Sequence, residues 1–187
     1  MLHPNFVIAG VIIIVAGKIS YLLDTINGKA KPNKISYGLW AIASLIAFAA
    51  EISQGVGIHA LLTFSVGFGP LVIFCASFLN KKAHWKISNF DIGCGALSLI
   101  GLFLWWFTKV GNIAIAFSIA ADVLAALPTI IKSYRFPHTE NPFAYIGDAI
   151  GAGITLLTVT NWNFATMGFP IYIFIINSIV AFLIYNG

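Results

Sequence analysis

The stretch LAALPTIIKSYRFPHTENPFAYIGDAIG, from Leu124 to Gly151, joins two apolar segments through a polar, basic loop. Pro128 comes just before the first segment ends, and Asp148 comes just after the second begins. Two long apolar segments joined by a short loop are typical of a pair of membrane helices, because crossing a bilayer core of roughly 30 Å takes about 20 apolar residues. A proline and a carboxylate are costly inside such helices, so both mark candidate functional positions.

The composition of the whole chain also indicates a membrane environment. Of its 187 residues, 59% are hydrophobic and only 9% are charged, and the mean hydropathy is +0.94. Such a chain cannot cover a water-exposed surface, so it predicts an integral membrane protein. The apolar runs are too long and too unbroken for the alternating pattern of a membrane β-barrel, which leaves a helical bundle.

Hydrophobic runs predict an all-α, polytopic membrane protein with seven transmembrane helices. Their predicted bounds are Asn5–Leu23, Tyr37–Ser53, Ile58–Leu79, Phe90–Phe107, Ile113–Ile131, Ala144–Thr160 and Phe164–Tyr185. The connecting loops are short and leave no room for a soluble domain.

The basic residues of the loops are unevenly distributed, and this predicts the orientation. Loops after the first, third and fifth helices carry Lys29, Lys31, Lys34, Lys81, Lys82, Lys86, Lys132 and Arg135. The loops on the other side carry only Lys109. Because cytoplasmic loops are enriched in Lys and Arg, the N-terminus is predicted to lie outside and the C-terminus in the cytoplasm. The net charge of +4 therefore reflects topology, and we expect no nucleic-acid partner.

The two halves of the chain correspond to each other. The hairpin that begins at Ser20 aligns without a gap with the hairpin that begins at Leu127. Further on, GPLVIFCASF from Gly69 runs parallel to FPIYIFIINS from Phe169. This predicts two parallel three-helix repeats, residues 1–80 and 111–187, joined by a linker helix in residues 81–110. The equivalent positions include Pro70 with Pro170, Ser77 with Asn177, and Trp40 with Gly147.

This arrangement of three, one and three helices resembles the PQ-loop superfamily, and two local features add to the resemblance. One is the proline near the cytoplasmic end of the first helix of a unit, and the other is the TEN turn at 139–141 before the second helix. The superfamily includes SWEET sugar transporters, cystinosin-like proton-coupled amino-acid exporters and the KDEL receptor. The resemblance implies alternating access with prolines as hinges. It also implies an asparagine lining the substrate pocket, here Asn177, and a proton-coupling aspartate, to which Asp148 is similar.

The prolines have an explanation that does not depend on the family. In a helix interior, proline removes one backbone hydrogen bond and clashes with the carbonyl four residues earlier, so Pro128 is expected to kink the fifth helix. A kink is a place to bend, which makes Pro128 a candidate hinge together with Pro70 and Pro170. The alternative is that Pro128 only shapes a static bundle.

Ionisable residues within the spans are a sharper signal. Asp122 lies about eleven residues into the fifth helix and hence close to the bilayer midplane, where it must face protein or water. It is either a structural carboxylate, neutral or paired with Lys18, or a group that binds protons or contacts substrate. Asp148 either stabilises the start of the sixth helix or takes part in proton coupling. Glu51 and Asp24 are predicted to be interfacial, and Lys18 either extends toward the cytoplasm or pairs in the interior.

Other polar and small residues complete the predicted pocket and its packing. Asn177 and Ser77 are expected either to join helices by hydrogen bonds or to line the substrate pocket. Trp40 opposite Gly147 predicts a lopsided pocket with one aromatic wall. Gly147 and Gly151 lie four residues apart and predict close helix packing.

These features predict a small-solute transporter that works by alternating access on a sugar, an amino acid or a similar polar metabolite. Its partners would be that solute, the lipid bilayer and, if transport is coupled, protons. The alternative is a ligand-binding, receptor-type membrane protein of the same fold. The sequence holds no evident metal-ligand cluster and no nucleophile-base pair, so we expect neither an enzyme nor a cofactor.

Overall fold

A computed structural model of the chain describes residues 2–83, 85–108 and 111–187, with side chains except those of 101–102 and 104–108. Lys109, which was counted in the charge distribution, lies outside these residues. The described chain is all-helical, as predicted. Its α-helices are α1 (Phe6–Ile26), α2 (Lys34–Ser53), α3 (Ala60–Ala76), α4 (Asn89–Thr108), α5 (Gly111–Arg135), α6 (Pro142–Thr158) and α7 (Phe164–Asn186). Short 3-10 segments cover Gly57–His59, Lys81–Ala83 and Pro137–Thr139.

Several of these helices are suited to a bilayer. Five helical stretches are long and apolar enough to cross a membrane: Phe6–Ile26, Lys34–Ser53, Gly57–Ala76, Gly111–Arg135 and Phe164–Asn186. Each has 20 or more residues, so each extends about 30 Å or more along its axis. This agrees with a helical membrane protein.

Asparagine side chains fix the starts of three helices. The side chain of Asn33 accepts hydrogen bonds from the backbone N–H groups of Ile35 and Ser36, and thereby caps α2. Asn141 caps α6 in the same way, and Asn163 caps α7. A side-chain acceptor at this position satisfies backbone donors that have no partner within the helix, so these asparagines define where each loop ends.

Glycines bring α1 and α6 into close contact, as the spacing of Gly147 and Gly151 predicted. A Cβ atom at Gly147 would lie 3.0 Å from the carbonyl oxygen of Ile13, and one at Gly151 would lie 2.8 Å from the carbonyl oxygen of Gly10. At Gly17, a Cβ atom would lie 2.6 Å from the carbonyl oxygen of Phe143. Side chains at these positions would force the two backbones apart.

The remaining contacts define the arrangement of the bundle. In the first half, α3 packs against both α1 and α2, and in the second half α7 packs against both α5 and α6. The halves meet through α1 against α6 and α2 against α5, and α4 packs on α5 and α2.

The loops after α1, α3 and α5 gather at one end of the bundle, which we call the lysine-rich end (27–33, 77–83 with 85–88, and 136–141), and Lys132 and Arg135 in the last turn of α5 lie beside them. The N–H of Lys31 donates to the carbonyl oxygen of Thr139 at 3.0 Å, which joins the first of these loops to the third. The Asn80 side chain donates to the carbonyl oxygen of Ile26 at 2.7 Å, which joins the second loop to the end of α1. The opposite end contains the connections at 54–59 and 159–163.

Candidate functional site

A small cavity lies at the centre of the bundle, where six helices meet. Its wall combines apolar side chains and Pro70 with residues that carry charge or hydrogen-bonding groups. The latter are Lys18, Trp40, Ser44, Asp122, Tyr145, Asp148 and Asn177, from α1, α2, α5, α6 and α7. Because charged groups in the middle of an apolar bundle are expensive, this cavity is the candidate site.

An ion pair joins two helices across this cavity. Lys18 Nζ on α1 lies 2.5 Å from Asp148 Oδ2 on α6. Lys18 therefore pairs in the interior, with Asp148 and not with Asp122. Asp148 is only 3% exposed, and its Oδ1 atom has no hydrogen-bond partner within the described structure. This oxygen can therefore bind a proton or accept a hydrogen bond from a solute.

The path of the Lys18 side chain depends on a glycine. A Cβ atom at Gly69 of α3 would lie 2.7 Å from Lys18 Cγ and 3.0 Å from Lys18 Cδ. The aliphatic stem of the lysine therefore occupies the space that a side chain at position 69 would fill. In this way α3 positions Lys18 for the carboxylate of α6.

Asp122 is the second carboxylate of the cavity, and it lies near the middle of α5 with 3% of its surface exposed. The Tyr172 hydroxyl of α7 donates to its Oδ2 at 2.5 Å. The Ser44 hydroxyl of α2 donates to its Oδ1 at 3.4 Å, which is long for such a bond. Trp40 donates its indole N–H to the backbone oxygen of Asp122 at 3.3 Å. Asp122 thus contacts hydroxyl donors from two neighbouring helices and forms no ion pair with Lys18.

Little empty space remains in the cavity. The volume open to the centre of a water molecule is about 30 Å³. One water needs about 10 to 15 Å³ by this measure, so the cavity has room for about two waters. A sugar or an amino acid would therefore need the helices to move apart.

A cluster of buried polar side chains lies between the cavity and the lysine-rich end. We call it the Glu140 cluster, and its members are Tyr21, Tyr37, Lys132, Glu140 and Tyr145. Lys132 Nζ lies 2.5 Å from Glu140 Oε1, and the hydroxyls of Tyr21 and Tyr145 each donate to Glu140 Oε2 at 2.8 Å. The Tyr37 and Tyr145 hydroxyls lie 3.2 Å apart. Because Tyr145 also lines the cavity, the cluster forms the cavity's boundary on this side.

Lys132 also ties the cluster to the loops of the lysine-rich end. Its Nζ atom donates to the backbone oxygen of Lys31 at 2.5 Å and to that of Thr139 at 3.5 Å. Together with the Tyr21 bond to Glu140, the Lys31 contact connects the first half of the chain with the second.

The opposite side of the cavity is closed by apolar side chains, which we call the apolar cap. Its members are Ile14, Ala47, Leu62, Val66, Ala152, Phe169 and Ile173. Each of them lies on its helix about one or two turns from the cavity toward the opposite end, or at the cavity wall itself. The cavity is therefore covered at both ends.

Five of the predicted site residues meet at this cavity, and three do not. Asp122, Asp148, Trp40, Asn177 and Pro70 line its wall. Ser77 follows the last residue of α3, where its hydroxyl donates to the carbonyl oxygen of Phe74 at 2.6 Å, so it lies outside the cavity. Pro128 and Pro170 also lie outside, and all three prolines lie within helices that continue through them.

The contacts of three residues bear on the expectations stated for them. Asn177 was expected either to join helices or to line the pocket; it lines the cavity, and its Nδ2 donates within α7, to the Ile173 carbonyl oxygen. Gly147 packs against α1 rather than opening room beside Trp40. The predicted helix-end role of Asp148 is taken by Asn141, because α6 begins at Pro142 and Asp148 lies in its second turn.

Glu51 was predicted to be interfacial; it lies in the last turn of α2, but it is buried by protein, with only 1% of its surface exposed. The Thr63 hydroxyl of α3 donates to Glu51 Oε1 at 3.0 Å, while Glu51 Oε2 has no hydrogen-bond partner in the described structure. Position along α2 suggested an interface, whereas burial results from the packing of α3 over this turn.

Sequence reasoning also missed four residues that shape the site. Ser44 and Tyr172 hold Asp122, Gly69 gives space to Lys18, and Glu140 organises the cluster. A signal existed for Ser44, which lies four residues after Trp40 and thus on the same face of α2. Glu140 was noticed only as part of the TEN turn, and a glutamate in a loop suggests exposure.

No family model, curated protein or solved structure matches this chain. Among the described residues, no group of three or more His, Cys, Asp or Glu side chains is placed to hold a metal ion. What the site can do is therefore inferred from its own geometry: it can hold and exchange protons, and it can bind polar or charged groups.

Proposed function

We propose that the protein is a small-solute membrane transporter that works by alternating access. The observation that carries this proposal is the central cavity, which holds an ion pair and a second carboxylate and is covered at both ends. An ionised side chain near the centre of a membrane helix costs at least about 2.5 to 3.5 kcal/mol on insertion scales. In a bundle that does not move, nothing would offset the cost of Lys18, Asp122 and Asp148 around a cavity with room for about two waters.

The proposed transport unit has seven spans in two parallel three-helix repeats joined by α4. Support comes from the packing, in which α3 relates to α1 and α2 as α7 relates to α5 and α6. The caps of α2 and α6 are both asparagine, Asn33 and Asn141, and hydroxyls of Tyr37 and Tyr145 four residues later approach each other. With these caps in register, Trp40 corresponds to Asp148 instead of Gly147. This arrangement is the one expected for a PQ-loop protein, and we propose membership of that superfamily.

Transport in this scheme is a relative movement of the two repeats. Separation at the lysine-rich end would break the contacts that cross between them, which include Tyr21 with Glu140 and Lys132 with the Lys31 carbonyl. Contacts within the second repeat, such as Lys132 with Glu140, would persist. Opening of the other side would separate the apolar cap. Pro128, Pro70 and Pro170 are the proposed hinges, since each removes one backbone hydrogen bond within its helix.

Proton coupling is proposed for Asp122 and Asp148. Both are buried carboxylates, and Asp148 keeps one oxygen unpaired. A proton that binds either of them changes the charge of the cavity by one unit, which alters the affinity for a polar solute and the cost of closing the cavity around it. Without such coupling the protein would be a facilitator.

The proposed orientation places the N-terminus outside and the lysine-rich end in the cytoplasm. Single cysteines introduced at Lys29, Lys82 and Gln54, each of them exposed, test it in a variant without Cys75 and Cys94. In intact cells, an impermeant maleimide is expected to label Gln54→Cys and to spare the other two until the membrane is permeabilised. Labelling of Lys29→Cys or Lys82→Cys from outside contradicts the orientation.

Uptake into proteoliposomes tests the function. A thermal-stability screen of the purified protein against sugars, amino acids and nucleosides first identifies a solute that stabilises it. Uptake of that labelled solute is then measured with and without a pH gradient. Accumulation driven by the gradient supports a coupled transporter, and equilibration without accumulation supports a facilitator. A solute that stabilises the protein and is never taken up favours the receptor-type alternative and contradicts the proposal.

A further inference from the structure

Glu51 lies two helical turns from the central cavity, in the half of the bundle away from the lysine-rich end. It belongs to the last turn of α2, seven residues after Ser44, whose hydroxyl contacts Asp122. Seven residues advance about 10 Å along a helix and return almost to the same face. Glu51 therefore lies above Asp122 on one side of α2, with Ala47 of the apolar cap between them.

The surroundings of Glu51 fit a neutral carboxylic acid. Its Oε1 accepts one hydroxyl hydrogen bond, from Thr63, and its Oε2 has no partner in the described structure. Neither ion pair of the described residues includes it. An ionised carboxylate buried without a cation is costly by several kcal/mol, so such groups are usually protonated. Glu140, equally buried, has a lysine and two tyrosine hydroxyls as partners.

The titratable groups on the neighbouring elements are engaged elsewhere. His59, just before α3, has its Nε2 atom 3.4 Å from the carbonyl oxygen of Thr158. Asp91 of α4 is bound to Asn33 at the other end of α2. On α5 and α7, Asp122 and Tyr172 are bound to each other, and Lys18 of α1 is bound to Asp148 of α6.

A polar pocket of about 270 Å³ lies at this end of the bundle, beyond the end of α2. Its wall includes Gln54, Gly55 and Val56, the residues that directly follow the last turn of α2, together with His59. Gln54 follows Glu51 by three residues, so the pocket begins about one helical turn along the chain from Glu51.

We propose that Glu51 is a second proton-binding site, separate from the central cavity and filled from the pocket at the end opposite the lysine-rich loops. A proton from water binds Oε2 and converts the carboxylate to a carboxylic acid, and it leaves by the same route. Proton binding does not depend on transport. A role in coupling rests on the proposed function, in which Glu51 would load protons on the outer side for Asp122.

Infrared difference spectroscopy of the full chain in lipid bilayers, titrated from mildly acidic to alkaline pH, tests the site. The wild type is expected to show a carbonyl band of a protonated carboxylic acid that Glu51→Gln lacks. In Thr63→Val, which removes the bond to Oε1, the same band is expected to persist at a shifted frequency. Asp122→Asn is the control, because it leaves the Glu51 band in place.

The outcomes separate the two proposals. If the acidic spectrum is the same in wild type and Glu51→Gln, and Thr63→Val shifts no band, Glu51 is ionised and the proposed site is wrong. The Thr63→Val shift decides the question on its own if Glu51→Gln does not fold. A Glu51 band in a protein that takes up no solute supports the site and contradicts the transport function.

Discussion

The molecule contains two buried groups of charged residues that differ in how completely their polar atoms are paired. In the Glu140 cluster, both carboxylate oxygens of Glu140 have partners, and Lys132 also bonds two backbone carbonyls. In the central cavity, Asp148 keeps one oxygen without a partner, and Asp122 relies on one short and one long hydroxyl bond.

This difference separates a structural group from an exchangeable one. Each hydrogen bond to a charged group contributes about 1.5 to 3 kcal/mol, so the Glu140 cluster is expensive to disturb. The cavity carboxylates have unused acceptor capacity, and a proton or a solute can bind them without first removing every partner. Variants of the two groups should therefore fail in different ways, the first in stability and the second in transport.

The largest effect is expected from Glu140→Ala. It leaves the Lys132 ammonium buried without its carboxylate, which typically costs about 3 to 5 kcal/mol. Asp148→Ala is the matched comparison and should cost less, because 12% of the Lys18 side-chain surface is accessible against 1% for Lys132, and because Asp148 has one oxygen without a partner. Equilibrium unfolding in detergent measures both. Equal losses of stability would remove the proposed distinction between the two groups.

Asp122→Asn is expected to act on transport and leave the fold intact. Asparagine keeps the shape and the contacts with Tyr172 and Ser44 but cannot ionise, so accumulation driven by a pH gradient should be abolished while downhill exchange continues. Asp148→Asn should behave alike if it belongs to the same proton pathway. Uptake assays with and without the gradient distinguish these results. If both variants accumulate solute like the parent, the carboxylates are structural and the protein is a facilitator.

The sequence predicted the helices and the depth of single residues better than it predicted which side chains pair with each other. The seven helices follow from hydrophobic runs. Because consecutive helices run in opposite directions, the loops after the first, third and fifth helices were expected at one end. The mid-depth position of Asp122 could be counted from the start of its helix. The pairing of Lys18 with Asp148 could not be counted in this way, because it depends on the packing of α1 against α6.

The burial of individual charged side chains also could not be predicted from the sequence. Glu51 near a helix end and Glu140 in a loop both suggested contact with water, and both are buried by residues distant in the chain. Thr63 covers Glu51 from α3, and Tyr21 reaches Glu140 from α1. Contacts of this kind depend on the helix packing, which hydrophobicity and loop charge do not specify.

A smaller effect is expected from Gly69→Ala, which tests how the cavity ion pair is held. The new methyl group would meet the stem of Lys18 at 2.7 Å, so the lysine must shift and its bond to Asp148 weakens. Gly93→Ala on α4 is the control, since nothing lies within 4 Å of its Cβ position, and it should stabilise the protein by up to about 1 kcal/mol. Thermal unfolding and solute affinity compare the two variants. If Gly69→Ala gains as much stability as the control and binds solute equally, Lys18 is not positioned by this contact.

The smallest effect is expected from Pro128→Ala, which tests whether movement between the two groups depends on a hinge. Pro128 lies outside the cavity, so the affinity for solute should change little. Alanine restores a backbone hydrogen bond of about 0.5 to 1.5 kcal/mol, and if bending must break it again, exchange between the two open forms slows about two- to twelvefold. Counterflow rates in proteoliposomes measure this, with Pro137→Ala, which lies in the loop before α6, as the control. Unchanged rates in a folded Pro128→Ala protein would mean that the proline only shapes a static helix and that the Glu140 cluster and the apolar cap open without bending α5.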